Sequence, residues 1–139
     1  MTIGRFRFFL VASLVLGLFG ALIDFVFPAL IPEDFHYAHA QQNQALFTAP
    51  LTDILTGMLV ILLGMLLVCV YGLYTLRPWA PRLSVGSTLL ALVIEVFLGT
   101  YALSGLAFLF TNLSSYLWGA VLILANCPPF NARFQGRAE

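Results

Sequence analysis

Residues 83–103, LSVGSTLLALVIEVFLGTYAL, are the stretch that decides the fold. They are long enough to cross a membrane as a helix, because about 20 mostly apolar residues span the hydrocarbon core. One acid, Glu95, lies near the middle of the stretch. Small and polar residues recur at steps of four and three: Ser84, Thr88, Ala91, Glu95, Gly99 and Ala102. This spacing puts them on one helix face, which we expect to meet other helices while the bulky faces meet lipid.

The composition of the whole chain predicts a membrane protein. Of its 139 residues, 61% are hydrophobic and only 9% are charged, against roughly 25% charged in ordinary soluble domains. The length fits one domain. All six basic residues are arginine, none lies inside an apolar run, and the net charge is zero. We therefore expect the lipid bilayer as a partner and no nucleic acid.

Four apolar segments are separated by short polar connections. We predict membrane helices over residues 8–27, 51–76, 83–103 and 106–126, with an outer connection at 28–50, a turn at 77–82 and a tail at 127–139. Residues 33–46 form either a short helix on the membrane surface or a plain loop, since acids follow Pro32 as at a helix start. The last boundary rests on Ser104-Gly105 alone, so residues 106–112 are either helix or a short turn.

The placement of arginine predicts the orientation. The head, the turn at 77–82 and the tail hold all six arginines, whereas the other two connections hold none. Under the positive-inside rule, both termini and this turn face the cytoplasm. The sequence thus predicts an all-α, polytopic membrane protein, a bundle of four transmembrane helices with cytoplasmic termini. We expect it in the cell membrane, as a multi-pass protein of the bacterial inner membrane.

Each of the other segments carries its own stripe of small or polar residues. These stripes are Ser13, Gly17, Gly20 and Asp24 in the first segment, Asp53, Gly57, Val60 and Gly64 in the second, and Asn112, Ser115, Gly119 and Asn126 in the fourth. Such stripes let helix backbones approach closely, and packing alone is one interpretation. At ~1.5 Å per residue, Glu95 and Asn112 lie at a similar depth, below Asp24 and Asp53. The further hypothesis is therefore a polar pocket, with Glu95 and Asn112 at its floor and Asp24 and Asp53 at its mouth.

Glu95 is the most informative residue of this predicted pocket. A carboxylate at mid-bilayer costs about 3 kcal/mol on insertion scales, and Arg82 is roughly 20 Å away along the helix. One interpretation is a proton-coupled or cation-binding site. The other is a neutral acid, bonded to Asn112 or to a backbone carbonyl, that joins helices. For Asp53, which follows Thr52 near a helix start, capping is the alternative to a place in the pocket.

Two histidines in the outer connection are weak candidates for a metal site. His36 and His39 form an H-x-x-H pattern that shares one helix face, beside Glu33 and Asp34. A third ligand is not defined, so solvated histidines are the default interpretation. We expect no cofactor and no catalytic residue, because no nucleotide-binding, hydrolase or redox motif occurs.

Two functions are compatible with these features. The first is a non-enzymatic accessory or scaffolding subunit that docks on a larger membrane assembly, since the loops are short and several small-residue faces are available. The alternative is a proton-coupled small transporter or cation channel that works through Glu95, as a homo-oligomer.

Overall fold

A computed structural model describes residues 2–27, 30, 50–98 and 103–135, with side chains for all of them except 50–56 and 96–98. This part of the chain is all-helical, as predicted. Four long helices, α1 to α4, are followed by a short 3-10 helix: Ile3–Val26, Pro50–Tyr74, Ala80–Leu98, Gly105–Asn126 and Phe130–Gln135. The predicted surface helix at 33–46, with His36 and His39, lies outside the described residues.

Two of the helices begin at residues whose side chains cap them. The Thr2 hydroxyl accepts a hydrogen bond from the Arg5 backbone N–H at 3.4 Å, so α1 begins at Ile3 rather than at residue 8. The Ser104 hydroxyl accepts from the Ala107 N–H at 3.2 Å, and residues 106–112 are helix rather than a turn. Serine and threonine are favoured at this position because their oxygen satisfies an N–H that has no partner in the helix.

A tight turn joins α2 to α3 and explains where α2 ends and where α3 begins. Leu76 has a φ of 57°, the Arg77 N–H donates to the Gly72 carbonyl at 2.8 Å, and the Leu76 N–H donates to the Leu73 carbonyl. This is the Schellman arrangement, which ends α2. Proline is tolerated in the first turn of a helix, so α3 begins at Ala80 with Pro81 inside it.

The closest packing in the described structure joins α1 and α4, which run antiparallel. The Ser114 hydroxyl donates to the Ser13 carbonyl at 2.7 Å. A Cβ atom at Gly20 would meet the Thr111 hydroxyl oxygen at 2.5 Å, so only glycine allows this approach. The predicted stripe of α1 is therefore confirmed as a packing face: Ser13, Gly20 and Asp24 are buried along it and Gly17 lies under Ser114.

The predicted packing face of α4 is wrong by part of a turn, except at Asn126. Residues that face the bundle are Ser104, Ala107, Ser114, Val121 and Ala125. Asn112 and Ser115 instead bond carbonyls of their own helix, those of Phe108 and Thr111. The Asn126 amide donates both to the Leu122 carbonyl of its own helix and to the Pro81 carbonyl of α3, at 3.5 Å. Because a polar side chain can be satisfied within its own helix, polarity alone does not tell which face meets a neighbour.

An aromatic core closes the end of the bundle that carries the arginines. Phe6 of α1 has its ring centroid 4.8 Å from that of Phe130 and 5.9 Å from that of Phe134. Both partners belong to the 3-10 helix, which thereby folds back onto α1. Residue Leu73 of α2 joins the same cluster. Here the Arg7 side chain donates to the Tyr74 carbonyl at 3.1 Å and lies 4.5 Å from the Tyr74 ring centroid.

Within the residues that the structure describes, three helical stretches are long and apolar enough to cross a membrane. They are Ile3–Val26, Gly57–Tyr74 and Gly105–Asn126. This supports a membrane protein, in line with the composition.

Candidate functional site

A groove of about 370 Å³ runs between α2 and α3 and opens on the side of the bundle. We call it the α2–α3 groove. Its lining residues are Leu59, Leu62, Leu63 and Leu66 of α2, Ser87, Thr88, Ala91, Leu92 and Glu95 of α3, and Trp118 of α4. Half of the lining residues are therefore leucine, and the single acidic side chain among the described lining residues is that of Glu95.

Glu95 is exposed on this groove rather than buried at the floor of a closed pocket. The sequence-based placement of this residue in a shared interior is therefore wrong within the single chain. The buried positions of α3, among the side chains that the structure describes, are Ala80, Pro81, Ser84, Ser87 and Ile94. Glu95 is the next residue after Ile94 and lies about 100° further round the helix. It faces the open side of the α2–α3 pair, where no other helix of the described bundle covers it.

The inner wall of the groove is polar, and its groups are satisfied. The Trp118 indole N–H donates to the Thr88 hydroxyl at 2.9 Å, and Thr88 in turn donates to the Ser84 carbonyl at 2.8 Å. The Ser87 hydroxyl donates to the same carbonyl at 3.0 Å and lies 3.5 Å from the Cys69 sulfur. These bonds join α4 to α3 and α3 to α2, so they fix the shape of the wall behind Glu95.

Asp24 lies elsewhere and has a structural role. The residue is 5% exposed, and its carboxylate accepts hydrogen bonds from the Ser104 backbone N–H, at 2.8 Å, and from the Ser104 hydroxyl. Neither Asp24 nor Asn112 is among the described residues that line the α2–α3 groove. The side chain of Asp53 lies outside the described residues. Glu95 therefore shares its groove with Ser87, Thr88 and Trp118 and not with the two described residues that the sequence assigned to it.

Sequence reasoning missed the role of Ser104 and Trp118. A serine directly before an apolar helix is a known start signal, and this signal was available at Ser104. The bond between Trp118 and Thr88 leaves no such signal, because its two residues are distant in sequence and only the packing of α3 on α4 brings them together.

The described groups of the groove offer a carboxylate, two hydroxyls and an indole beside apolar walls. Such a set can hold a cationic or hydrogen-bond-donating group whose remainder is apolar. In the part of the chain that the structure describes, no three histidine, cysteine, aspartate or glutamate side chains converge as a metal site would require.

Comparison with known proteins assigns no family to the chain. No protein-family model matches it, and neither a curated protein nor a solved structure is significantly similar to it.

Proposed function

We propose that the protein is a small integral membrane protein whose four helices all cross the bilayer, with both termini and the turn between α2 and α3 in the cytoplasm. Three helices have the required length and apolarity, and α3 runs antiparallel between two of them. The arginines of the described chain gather at one end of the bundle: Arg5, Arg7, Arg77, Arg82 and Arg133. Positive charge at one end favours a cytoplasmic position for that end.

Within that membrane, the protein acts as a non-enzymatic accessory or scaffolding subunit of a larger assembly. The observation that carries this proposal is the exposed carboxylate of Glu95 on the open side of the α2–α3 groove. Glu95 lies in the last described turn of α3, and a carboxylate left against hydrocarbon is unfavourable by up to about 3 kcal/mol. A transmembrane helix of a partner removes this cost when it lies in the groove and donates a hydrogen bond or a positive charge to Glu95.

The shape of the groove fits a helix as its occupant. Ala91 lies between Thr88 and Glu95 on the same wall, and its small side chain lets a second backbone approach closely. The leucines of α2 supply the apolar rim opposite. In a bilayer no hydrophobic force drives helices together, so close packing and the bond to the acid carry the affinity.

Site-specific photo-crosslinking in native membranes tests this function. A photoreactive residue at Leu63 or Leu92 probes the groove, and one at Phe25 or Leu109 probes exposed positions outside it. We expect the first pair to form an adduct with one larger membrane protein, identified by mass spectrometry, and the second pair to label lipid. Glu95→Gln, which keeps the size and removes the charge, lowers the adduct yield about tenfold. Equal labelling at all four positions contradicts the proposal.

A second candidate function is a proton-coupled small transporter or cation channel. The specific observation in its favour is that the Ser87 and Thr88 hydroxyls line the same groove as Glu95, so oxygen atoms and apolar walls face one space. Proteoliposomes with an imposed pH gradient separate the two functions. A transporter loses cation uptake in the Glu95→Gln variant, whereas an accessory subunit shows no uptake in either form. Adducts between two copies of the chain in the crosslinking experiment favour the homo-oligomeric transporter.

A further inference from the structure

A concave site lies at the arginine-bearing end, between the turn after α2 and the 3-10 helix. We call it the arginine site. Its volume is about 420 Å³, and its walls include Arg77 and Pro78 from the turn and Arg133, Phe134 and Gln135 from the 3-10 helix. A neighbouring concavity of similar size shares Pro78, Phe134 and Gln135 and adds Arg82. Two arginines from distant parts of the sequence thus line one small space.

The chemistry of the arginine site selects an anion. Arginine is charged at every physiological pH, and its planar guanidinium matches two oxygens of a phosphate at once. The Arg133 guanidinium lies 5.6 Å from the Phe130 ring centroid, a contact that favours an ordered side chain. Gln135 adds an amide donor. No acid is among the described residues that line the site, and the described acids Asp24 and Glu95 lie towards the other end of the helices.

The surroundings of the site select a lipid rather than a free anion. Tyr74 and Trp79, 44% and 41% exposed, flank the turn that forms one wall, and these residue types concentrate at membrane interfaces. From there the exposed side chains of Tyr71, Val68 and Leu67 continue along α2 away from the arginines. A ligand whose phosphate lies between the arginines can therefore lay its acyl chains along this apolar strip.

We infer that the arginine site binds the phosphate of an anionic phospholipid, held by Arg77 and Arg133, with the acyl chains along α2. This inference rests on the proposed membrane embedding of the helices. The occupant is a single lipid of the cytoplasmic leaflet, and its headgroup lies against the fold-back of the 3-10 helix. The bound lipid thereby ties the turn after α2 to the 3-10 helix.

Lipid retention by the full chain tests the inference. The protein is reconstituted in nanodiscs of phosphatidylcholine with a minority of phosphatidylglycerol, extracted mildly, and its retained lipids are measured by native mass spectrometry. We expect enrichment of phosphatidylglycerol on the unmodified chain and a loss of about tenfold in the Arg77→Gln/Arg133→Gln variant. The matched control is a single exchange: Arg5→Gln removes one charge from the same end, at a residue that lines neither concavity, and is compared with Arg77→Gln alone. It keeps the enrichment within about twofold.

Three results overturn the inference. Equal loss in Arg5→Gln and Arg77→Gln shows attraction by surface charge alone rather than a site. A site for free phosphate would give two results. Glycerol phosphate would bind in the absence of lipid, and when added to the lipid-bound protein it would displace the lipid at the same rate from every variant. Unchanged enrichment of phosphatidylglycerol in the Arg77→Gln/Arg133→Gln variant excludes the two arginines as the groups that bind the lipid phosphate. Vesicle flotation separates failure of the lipid site from failure of the proposed membrane embedding. A chain that does not float with vesicles overturns both proposals, whereas one that floats but retains no phosphatidylglycerol overturns the lipid site alone.

Discussion

The Asp24 carboxylate, in the last turns of α1, accepts hydrogen bonds from both the backbone N–H and the hydroxyl of Ser104, the residue that caps α4. The same hydroxyl accepts a bond from the Ala107 N–H. One buried acid thus satisfies the start of a helix that is 80 residues away in sequence. Its negative charge also lies at the positive end of the α4 dipole. The contact fixes the register in which α1 and α4 pack.

Replacing Asp24 by Ala removes the acceptor for two donors in a buried place. We expect a loss of about 2 kcal/mol in the free energy of unfolding, since hydrogen bonds to charged groups contribute about 1.5–3 kcal/mol. Reversible unfolding of the detergent-solubilised protein, followed by circular dichroism, measures it. Ser115→Ala is the control, because its hydroxyl is exposed and bonds only its own helix. A double-mutant cycle with Ser104→Ala should return a coupling energy, and strict additivity would contradict the account.

Gly20→Ala tests the close approach of α1 and α4. The added Cβ would lie 2.5 Å from the Thr111 hydroxyl oxygen and 3.0 Å from the Thr111 backbone nitrogen. The backbone cannot yield as a side chain can, so we expect a destabilisation of about 1–3 kcal/mol. Gly64→Ala and Gly119→Ala are matched controls, because nothing lies within 4 Å of the Cβ that each would add. The prediction fails if the three variants unfold at the same denaturant concentration.

Local sequence rules predicted the helices well and their contacts only in part. The stripe of α1 is a packing face as expected, because its small glycine and serine residues let the backbone of α4 approach closely. The predicted stripe of α4 is mostly on the wrong side, since Asn112 and Ser115 are satisfied by carbonyls of their own helix. Periodicity finds the faces of a helix and does not tell which face a neighbour covers.

The placement of Glu95 failed for a related physical reason. An acid in an apolar segment is stable only when it is covered, and the predicted pocket requires that the chain cover it by itself. In the structure α2 packs on α3 along one side and leaves Glu95 on an open groove. Two features decide whether α2 and α3 enclose Glu95. They are the angle at which the helices cross and the short turn at Trp79, whose ring lies on Gly72. Neither can be read from hydropathy or spacing.

Leu76 should tolerate glycine better than valine. Its φ of 57° lies in the left-handed region, which costs a side chain roughly 1–2 kcal/mol. Leu76→Gly removes this cost and some packing, and we expect little net change in stability. Leu76→Val adds a branch at Cβ where the backbone is already strained, and we expect a loss of about 1 kcal/mol or more. Thermal unfolding of the two variants gives the ranking, and a more stable Val variant would rule out strain as the dominant effect.

The bond from Trp118 to Thr88 should hold α4 against α3 behind the groove. Thr88→Val has nearly the same shape and leaves the indole N–H without its acceptor, so we expect a loss of about 1 kcal/mol. Thr88→Ser keeps the hydroxyl and serves as the control. The fluorescence maximum of Trp118, measured in a Trp79→Phe background, should move in the Val variant and stay in place in the Ser variant. Identical spectra would show that the bond does not order the indole.

Filling the groove should abolish partner binding and leave the fold intact. Ala91 lines the α2–α3 groove and is half-buried, so Ala91→Phe places a ring where the partner helix lies. Val85 is 37% exposed on the same helix and does not line the groove. Val85→Phe therefore adds a ring to α3 at a site that the partner leaves free.

We expect both variants to unfold within about 1 kcal/mol of the parent, as shape changes at open positions cost little. Crosslinking from Leu63 to the partner should be lost with Ala91→Phe and retained with Val85→Phe. If both variants keep the adduct, the partner binds elsewhere, and the exposed carboxylate of Glu95 needs another explanation.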